Sequence, residues 1–360
     1  MIKPKPLIQN IVRIQEKEPS RFYKVRLDRS ERTYPYSNSF IERIKRRLDG
    51  EWLMTYPEPE PLYEKFSAFL KIPRQRILFN NGSDQSIKAV FETYISEGDK
   101  VLLHRPGYAM FPVYAKMFGA EAVFQDFDSD LNFDHDAYIN KIDSSFRMAV
   151  LENPNGFIGA APPRESLHRF IAKCEKEGVI AVVDEAYFFF HDITVVDLLD
   201  SYENLIVIRT FSKALGVAGL RAGYTLSREE NIANLYKVKP MHEINGLAIL
   251  VIDEILNDPK EFFGFVEDTR KGLAFLKDGF RKLDIDTSKS VANFLAARLG
   301  KYISGEEASL RLKEKGILLR RPFREKNLWE WTRIGTGPVP YMQQLLSVVE
   351  EMISGVKKEV

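Results

Sequence analysis

The sequence predicts an α/β protein in which a mostly parallel sheet is covered by helices and followed by a smaller α+β domain. Three observations predict it. Between residues 76 and 226, short apolar runs alternate with longer segments of helical period, the pattern of βαβ units. The residues with chemical potential follow those apolar runs, at the carboxyl edge where open α/β sheets hold their ligands. After residue 245 the alternation gives way to longer helical segments with short strand-like runs.

In chain order, the first 45 residues carry charge and aromatic rings without periodicity and are expected to form an arm joined to the smaller domain. Residues 46–245 are expected to form the large domain and 246–360 the small one. Within the large domain, residues 77–79, 101–103, 148–151, 179–183 and 205–208 are too short and too apolar for surface helices and are expected to be buried strands. Residues 84–95, 108–118 and 164–177 repeat their apolar positions at helical spacing. In the last part of the chain, 246–256 and 262–283 are expected to be helices, and 293–299, 317–319 and 331–334 strands. There is no internal repeat, coiled-coil heptad or low-complexity linker.

Composition narrows the partners. Of 360 residues, 44% are apolar and 29% charged, the balance of an ordinary globular protein. The net charge of +1 offers no broad basic field for nucleic acid or an anionic membrane, which leaves small molecules as the expected partners. No apolar run approaches the roughly 20 residues needed to span a bilayer. The segment Met1-Ile-Lys-Pro-Lys-Pro lacks the apolar stretch of a secretory signal, so a cytoplasmic protein is expected. A single cysteine, Cys174, rules out an internal disulfide and any Cys-x-x-Cys metal site; it falls in a helical pattern and is expected to be packed rather than nucleophilic. No metal is expected.

The most informative stretch is Arg209-Thr-Phe-Ser-Lys-Ala-Leu-Gly-Val-Ala-Gly-Leu-Arg-Ala-Gly-Tyr224. Lys213 follows the buried run 205–208, so its amine is held at a strand end. Desolvation and a neighbouring cation there lower a lysine's pKa and favour the neutral nucleophile. Arg221 can pair with a phosphate, with Ser212 and Thr210 adding hydroxyls, or it can be a surface arginine in a loop. Gly82, Ser83 and Asp84, in Asn80-Asn-Gly-Ser-Asp84, join a strand to a helix whose free amides and dipole suit an anion, although a Gly-Ser turn caps many helices. Asp184 ends the most apolar strand, where a carboxylate needs a partner: either a protonated ring nitrogen or a cation on a neighbouring strand. Tyr187, three residues on, can give its phenol to a ring oxygen. Tyr108, in Arg105-Pro-Gly-Tyr108, is expected to begin a helix and either stack on a cofactor ring or pack in the core. An amine, a phosphate cradle, an acid for a pyridine nitrogen and a ring to cover it are together the needs of pyridoxal 5′-phosphate.

With these residues assembled, the chain resembles the histidinol-phosphate aminotransferase group of the class I/II aminotransferases, from about Arg26 to the C-terminus. Arg209 to Tyr224 and Asp184-Glu-Ala-Tyr187 carry the resemblance most specifically. It implies fold type I, with a seven-stranded, mostly parallel sheet flanked by helices, and ping-pong transfer of an amino group from an amino acid or phosphorylated amine to a 2-oxo acid. Tyr56-Pro-Glu-Pro-Glu-Pro matches the segment whose tyrosine reaches the phosphate of the partner subunit's cofactor, which implies a homodimer. Arg333, in Trp331-Thr-Arg-Ile-Gly-Thr-Gly337, matches the arginine that grips a substrate carboxylate or phosphate. Arg320, in Gly316-Ile-Leu-Leu-Arg320, matches a second, with Arg321 as its competitor.

The departures bear on substrate. The family's Asn-Pro-Asn-Asn-Pro-Thr-Gly is here Asn153-Pro-Asn-Gly-Phe-Ile-Gly159, so Gly156 stands where an asparagine usually touches the cofactor's ring oxygen. Its loss is expected to raise the proton affinity of the lysine-bound cofactor, unless Asn155 or a water restores the donor. Arg29-Ser-Glu-Arg-Thr-Tyr-Pro35 adds Arg29, Arg32 and Tyr34 where substrate is expected to enter. In Pro240-Met-His-Glu-Ile-Asn245, His242 either approaches substrate or is solvated. Two rival readings are a decarboxylase or lyase of a phosphorylated amino acid on the same fold, and a cofactor-binding protein without turnover.

Overall fold

The computed structural model describes residues 2–9, 11–12, 20–320, 322–323 and 325–356. Its strands are β1 (Val25–Leu27), β2 (Ile77–Asn80), β3 (Lys100–Arg105), β4 (Glu121–Asp126), β5 (Phe146–Glu152), β6 (Ile180–Asp184), β7 (Leu205–Thr210), β8 (Gly223–Ser227), β9 (Phe294–Ala297), β10 (Ile317–Leu319) and β11 (Thr332–Gly335). Seven of these form one sheet in the order β2-β8-β7-β6-β5-β3-β4, and β8 alone runs against its neighbours.

The strands read as unbroken apolar runs because both faces of the sheet are covered. In β6, Ile180 and Val182 face one layer, packed with Val90, Phe91, Phe111 and Leu235. Ala181 and Val183 face the other, with Phe66, Leu167, Phe170 and Ile252. The helix Arg164–Glu177 ends where Gly178 turns left-handed at φ 70° and returns its N–H to Cys174 O and Glu175 O. Cys174 lies in that core, and burial pushes its thiol well above its ordinary range. It is a packing residue. No helix among the described residues is long and apolar enough to cross a membrane.

Two of the seven sheet strands were not foreseen. β4 lies at the sheet edge, bracketed by Glu121 and Asp126, and is half-buried, so its apolar signal is weak. β8 contains Gly223, Thr225 and Ser227, yet is wholly buried. Its hydroxyls are satisfied internally: Thr225 bonds the Asn80 side chain at 3.2 Å, and Ser227 donates to Leu205 O at 2.6 Å. Tyr108 does not begin a helix. It stands in the turn before Met110–Met117, because Glu152 takes its N–H (2.5 Å) and Asp84 its phenol.

The C-terminal part packs the helices Lys260–Lys282 and Val339–Val356 against the antiparallel pair β9 and β11. From the N-terminal segment, β1 pairs in parallel with β10, and Leu27 enters this core. The chain that follows is clamped by Arg32, whose guanidinium lies 4.6, 4.0 and 4.6 Å from the rings of Tyr34, Tyr36 and Phe265. A side chain at Gly216 would meet Arg32 Cδ at 2.6 Å, so the turn after Lys213 and this segment fit only with glycine there.

Beneath the carboxyl edge, Arg209 on β7 and Glu185 beyond β6 form an ion pair at 2.7 Å, both fully buried, with Arg209 stacked on Phe188 at 3.4 Å. Glu185 also accepts from Thr194 Oγ1 and Val195 N. Glu185→Ala leaves an uncompensated buried cation and is expected to lower unfolding free energy by about 3–5 kcal/mol in urea titration. A loss below roughly 1 kcal/mol, the scale of an exposed pair, would contradict this reading.

Candidate active site

Six sheet strands deliver residues to one cavity of about 510 Å³. β2 leads to Ser83 and Asp84, β3 to Tyr108, β5 to Glu152 and Gly156, β6 to Asp184 and Tyr187, and β7 to Thr210, Ser212 and Lys213; β8, running the other way, begins just after Arg221. Arg320 and Arg333 close the cavity from the C-terminal part, and Arg29 from the N-terminal segment. A second cavity of about 750 Å³ adjoins, sharing Arg29, Tyr108, Glu152, Phe157, Arg320 and Arg333.

Lys213 Nζ donates to Arg29 O at 2.7 Å and stands 6.0 Å from the centre of the Tyr187 ring. Burial, and after it the charge of Arg333, lowers its amine from 10.5 to about 7. Asp184 is 5% exposed, and among the described residues the one donor to its carboxylate is Ala186 N at 3.0 Å. Burial, reinforced by Glu152, raises it well above the carboxylate range. The expected alternative of a salt bridge on a neighbouring strand is absent among the described residues. Arg333 is 2% exposed; Nη2 donates to Ser30 Oγ (2.8 Å) and Tyr187 Oη (3.1 Å), while Nε and Nη1 have no partner among the described residues. Burial pulls its guanidinium down to about 10. An acid and a cation held dry with bonding capacity to spare make a cavity shaped for a charged ligand.

The anion cradle is built from backbone as much as from side chains. The helix Ser83–Tyr94 starts at Gly82, whose φ of 82° and lack of a side chain admit Arg221 Nη2 to 2.9 Å from its Cβ position. At Gly223, a Cβ would meet Ser83 N at 2.5 Å, so glycine is required for β8 to pass beneath the helix start. Arg221 itself takes the left-handed conformation at φ 51°, a strain seen at residues held for function. Its Nη2 is 3.7 Å from Asp84, which also holds the phenol of Tyr108.

These residues fit pyridoxal phosphate: an amine near neutrality, an acid without a cation, a helix start with an arginine, and a ring at the cavity wall. The model of the family "Aminotransferase class I and II" matches residues 24–349. The chain belongs to the class I and II aminotransferases. A curated histidinol-phosphate aminotransferase from Thermoanaerobacter sp. (strain X514) is 30% identical over 358 residues, covering 96% of this chain and 100% of that one. Among solved structures, the histidinol-phosphate aminotransferase of Sinorhizobium meliloti in complex with pyridoxal-5′-phosphate superposes with a TM-score of 0.87 at 22% identity, over 99% of this chain and 98% of that one. L-threonine-O-3-phosphate decarboxylase from Porphyromonas gingivalis shares the fold at a TM-score of 0.77 and 21% identity, over 92% and 99%. The chain is therefore a fold type I aminotransferase, with pyridoxal phosphate as its cofactor.

Not every residue expected at the site of the aminotransferase is found there. Asn155 is 2% exposed and fully engaged elsewhere: Nδ2 donates to Pro106 O (2.9 Å), and Oδ1 accepts from Phe157 N (2.9 Å) and Ile158 N (2.8 Å). It shapes its loop and does not replace the missing asparagine. Tyr34 turns away from the cavity, its phenol bonding Asp268 at 3.2 Å and its ring edge on Phe265. Arg32 is the clamp described above. His242 stacks on Tyr56 at 4.3 Å, outside the cavity wall, and Tyr56 is 74% exposed. Arg321 lies outside the described residues. Glu152 was missed, although like Asp184 it is a carboxylate closing an apolar run, and the two are paired in register.

The lowered amine has a consequence for stability. Between about 7 and 10.5 the unfolded chain holds a proton on Lys213 that the folded chain does not, so this group's contribution to stability rises with pH across that window. With the cofactor removed, wild-type stability relative to Lys213→Met is expected to climb from pH 7 to 10 in denaturant titrations. Two curves that stay parallel would show an ordinary lysine.

Proposed function

We propose that the aminotransferase takes an amino donor bearing a carboxylate or phosphate, passes the amino group to a 2-oxo acid, and uses Lys213 as both cofactor anchor and proton carrier. The observation that carries the substrate class is buried Arg333, whose Nε and Nη1 donors have no partner among the described residues, beside Tyr187 and lining the cavity shared with Arg320. The naming of its relatives as histidinol-phosphate aminotransferases supports an anionic donor of this kind. Gly156 departs from the family's Asn-Pro-Asn-Asn-Pro-Thr-Gly pattern close to the ring.

When bound, pyridoxal phosphate supplies an aldehyde that condenses with amines and a ring that draws electrons from the donor's α-carbon. Lys213, whose amine burial brings down to about 7, would anchor the cofactor through that aldehyde and would carry the proton between the donor's α-carbon and the cofactor's C4′ carbon. Asp184 would accept the N–H of the ring and stabilise its positive charge. Arg221, Ser212, Thr210 and the amides at Ser83 would hold the phosphate. Tyr108, its phenol fixed by Asp84, would cover the ring. Tyr187, bonded by Arg333, links the anion of the donor to the reacting centre. Arg320, whose guanidinium lies 4.5 Å from the Phe157 ring, guards the passage between the two cavities.

The same proposal includes a cytoplasmic homodimer. The homodimer rests on the exposed Tyr56 and His242 stack, which places a phenol on the surface, outside the wall of its own cavity. The proposal also divides the chain near residues 45 and 245.

A panel of amino acids and phosphorylated amines tests the reaction. The expected result is donor-dependent loss of the cofactor's visible absorbance without release of carbon dioxide; carbon dioxide release in its place would make the enzyme a decarboxylase. Lys213→Ala is expected to abolish both absorbance change and turnover, and full activity in that variant would end the assignment. Arg333→Gln is expected to lower kcat/KM for the best anionic donor by about a hundredfold, roughly 3 kcal/mol of lost charged hydrogen bonds.

A further inference from the structure

On the strength of the cofactor reading above, we propose that Glu152 supplies the side chain that the 153–159 loop presents to the cofactor ring, so that a carboxylate occupies the space left open at Gly156. β5 ends at Glu152, directly beside Asp184 on β6. The chain then folds back and returns the Gly156 N–H to Glu152 Oε2 at 2.5 Å. The other oxygen, Oε1, takes Tyr108 N at 2.5 Å. A side chain built at Gly156 would start 3.0 Å from Oε2 and 3.8 Å from Tyr187 Cε2. The direction a side chain at 156 would take is therefore toward Tyr187, and the Glu152 carboxylate stands at its root.

Three features make this carboxylate more than a loop brace. It is 4% exposed and lines both cavities, and a carboxylate has room for about four hydrogen bonds, of which the backbone uses two. Asn155 cannot share the task, with its amide and carbonyl already committed. His104 does not neutralise it. Its Nε2 lies 3.8 Å from Oε1 but accepts the Glu152 N–H at 3.3 Å, which requires that nitrogen to be unprotonated.

The ionisable groups that line the cavities with Glu152 are His104, Arg105 and Tyr108 from the end of β3, Asp84 after β2, Asp184 and Tyr187 from β6, Lys213 and Arg221 between β7 and β8, and Arg29, Glu31, Arg320, Glu325 and Arg333 across the cavity. Against that background a second carboxylate makes the ring side of the cavity more negative. It adds to the elevation of Asp184 and favours the protonated form of the lysine-bound cofactor. An amide at the same place would donate to the ring oxygen and favour the opposite form.

The test is a spectral pH titration of the loaded enzyme without substrate, since the protonated and unprotonated chromophores absorb at different wavelengths. Glu152→Gln is expected to move the midpoint down by about one pH unit, a tenfold fall in proton affinity. Gly156→Ala, whose methyl group presses on Oε2, is expected to move it in the same direction and decides the matter alone if Glu152→Gln does not fold. A midpoint unchanged from wild type in the folded variants overturns the proposal. Loss of the visible chromophore in wild type itself would instead refute the cofactor reading, so the two failures are distinguishable.

Discussion

The organisation of this protein turns on ionisable groups held dry without full pairing. Lys213, Asp184 and Arg333 meet in one cavity, and burial pushes each toward its neutral form. A buried charge without a partner costs several kcal/mol, and folded proteins normally neutralise it or pair it. In the proposed function the pairing is left to a ligand, with a ring nitrogen for Asp184, an aldehyde for Lys213 and an anion for Arg333. The stability for this arrangement comes from elsewhere: two apolar layers on the sheet, and the satisfied Glu185 and Arg209 pair immediately below the site.

The sheet explains why such groups can converge. Side chains at adjacent strand ends are neighbours in space however far apart they are in sequence, and the parallel run of β3, β5, β6 and β7 puts their ends on one edge. The reversal at β8 brings Arg221 to that same edge from the opposite chain direction. Small residues then set the spacing. Gly82 and Gly223 let Arg221 and the helix start approach, and Gly216 lets the turn after Lys213 fit beneath Arg32.

Much of this was legible in the sequence because buried parallel strands are apolar throughout and the functional residues punctuate their ends. Lys213, Asp184, Tyr187, Ser83, Asp84, Tyr108, Ser212, Thr210 and Arg221 follow from that pattern, Arg320 and Arg333 from the family resemblance, and all line the cavity. Strand β8 escaped because its buried hydroxyls look polar until their partners, Asn80 and Leu205, are known. Asn155 and Tyr34 were misplaced for a related reason. A polar side chain near a site can be consumed by its own loop or by a distant helix, and which outcome holds depends on tertiary contacts such as Pro106 O or Asp268. Glu152 was overlooked for lack of a family expectation at that position, even though its place at a strand end is that of Asp184.

The most direct test of the unfinished charge arrangement is thermal unfolding of the cofactor-free protein with and without pyridoxal phosphate, in wild type and in Asp184→Asn. A ligand that completes buried charges binds the folded state alone and raises its melting temperature. The account expects a clear rise in wild type and a smaller one in the variant. Equal melting with and without the cofactor, or an equal rise in both proteins, would contradict it.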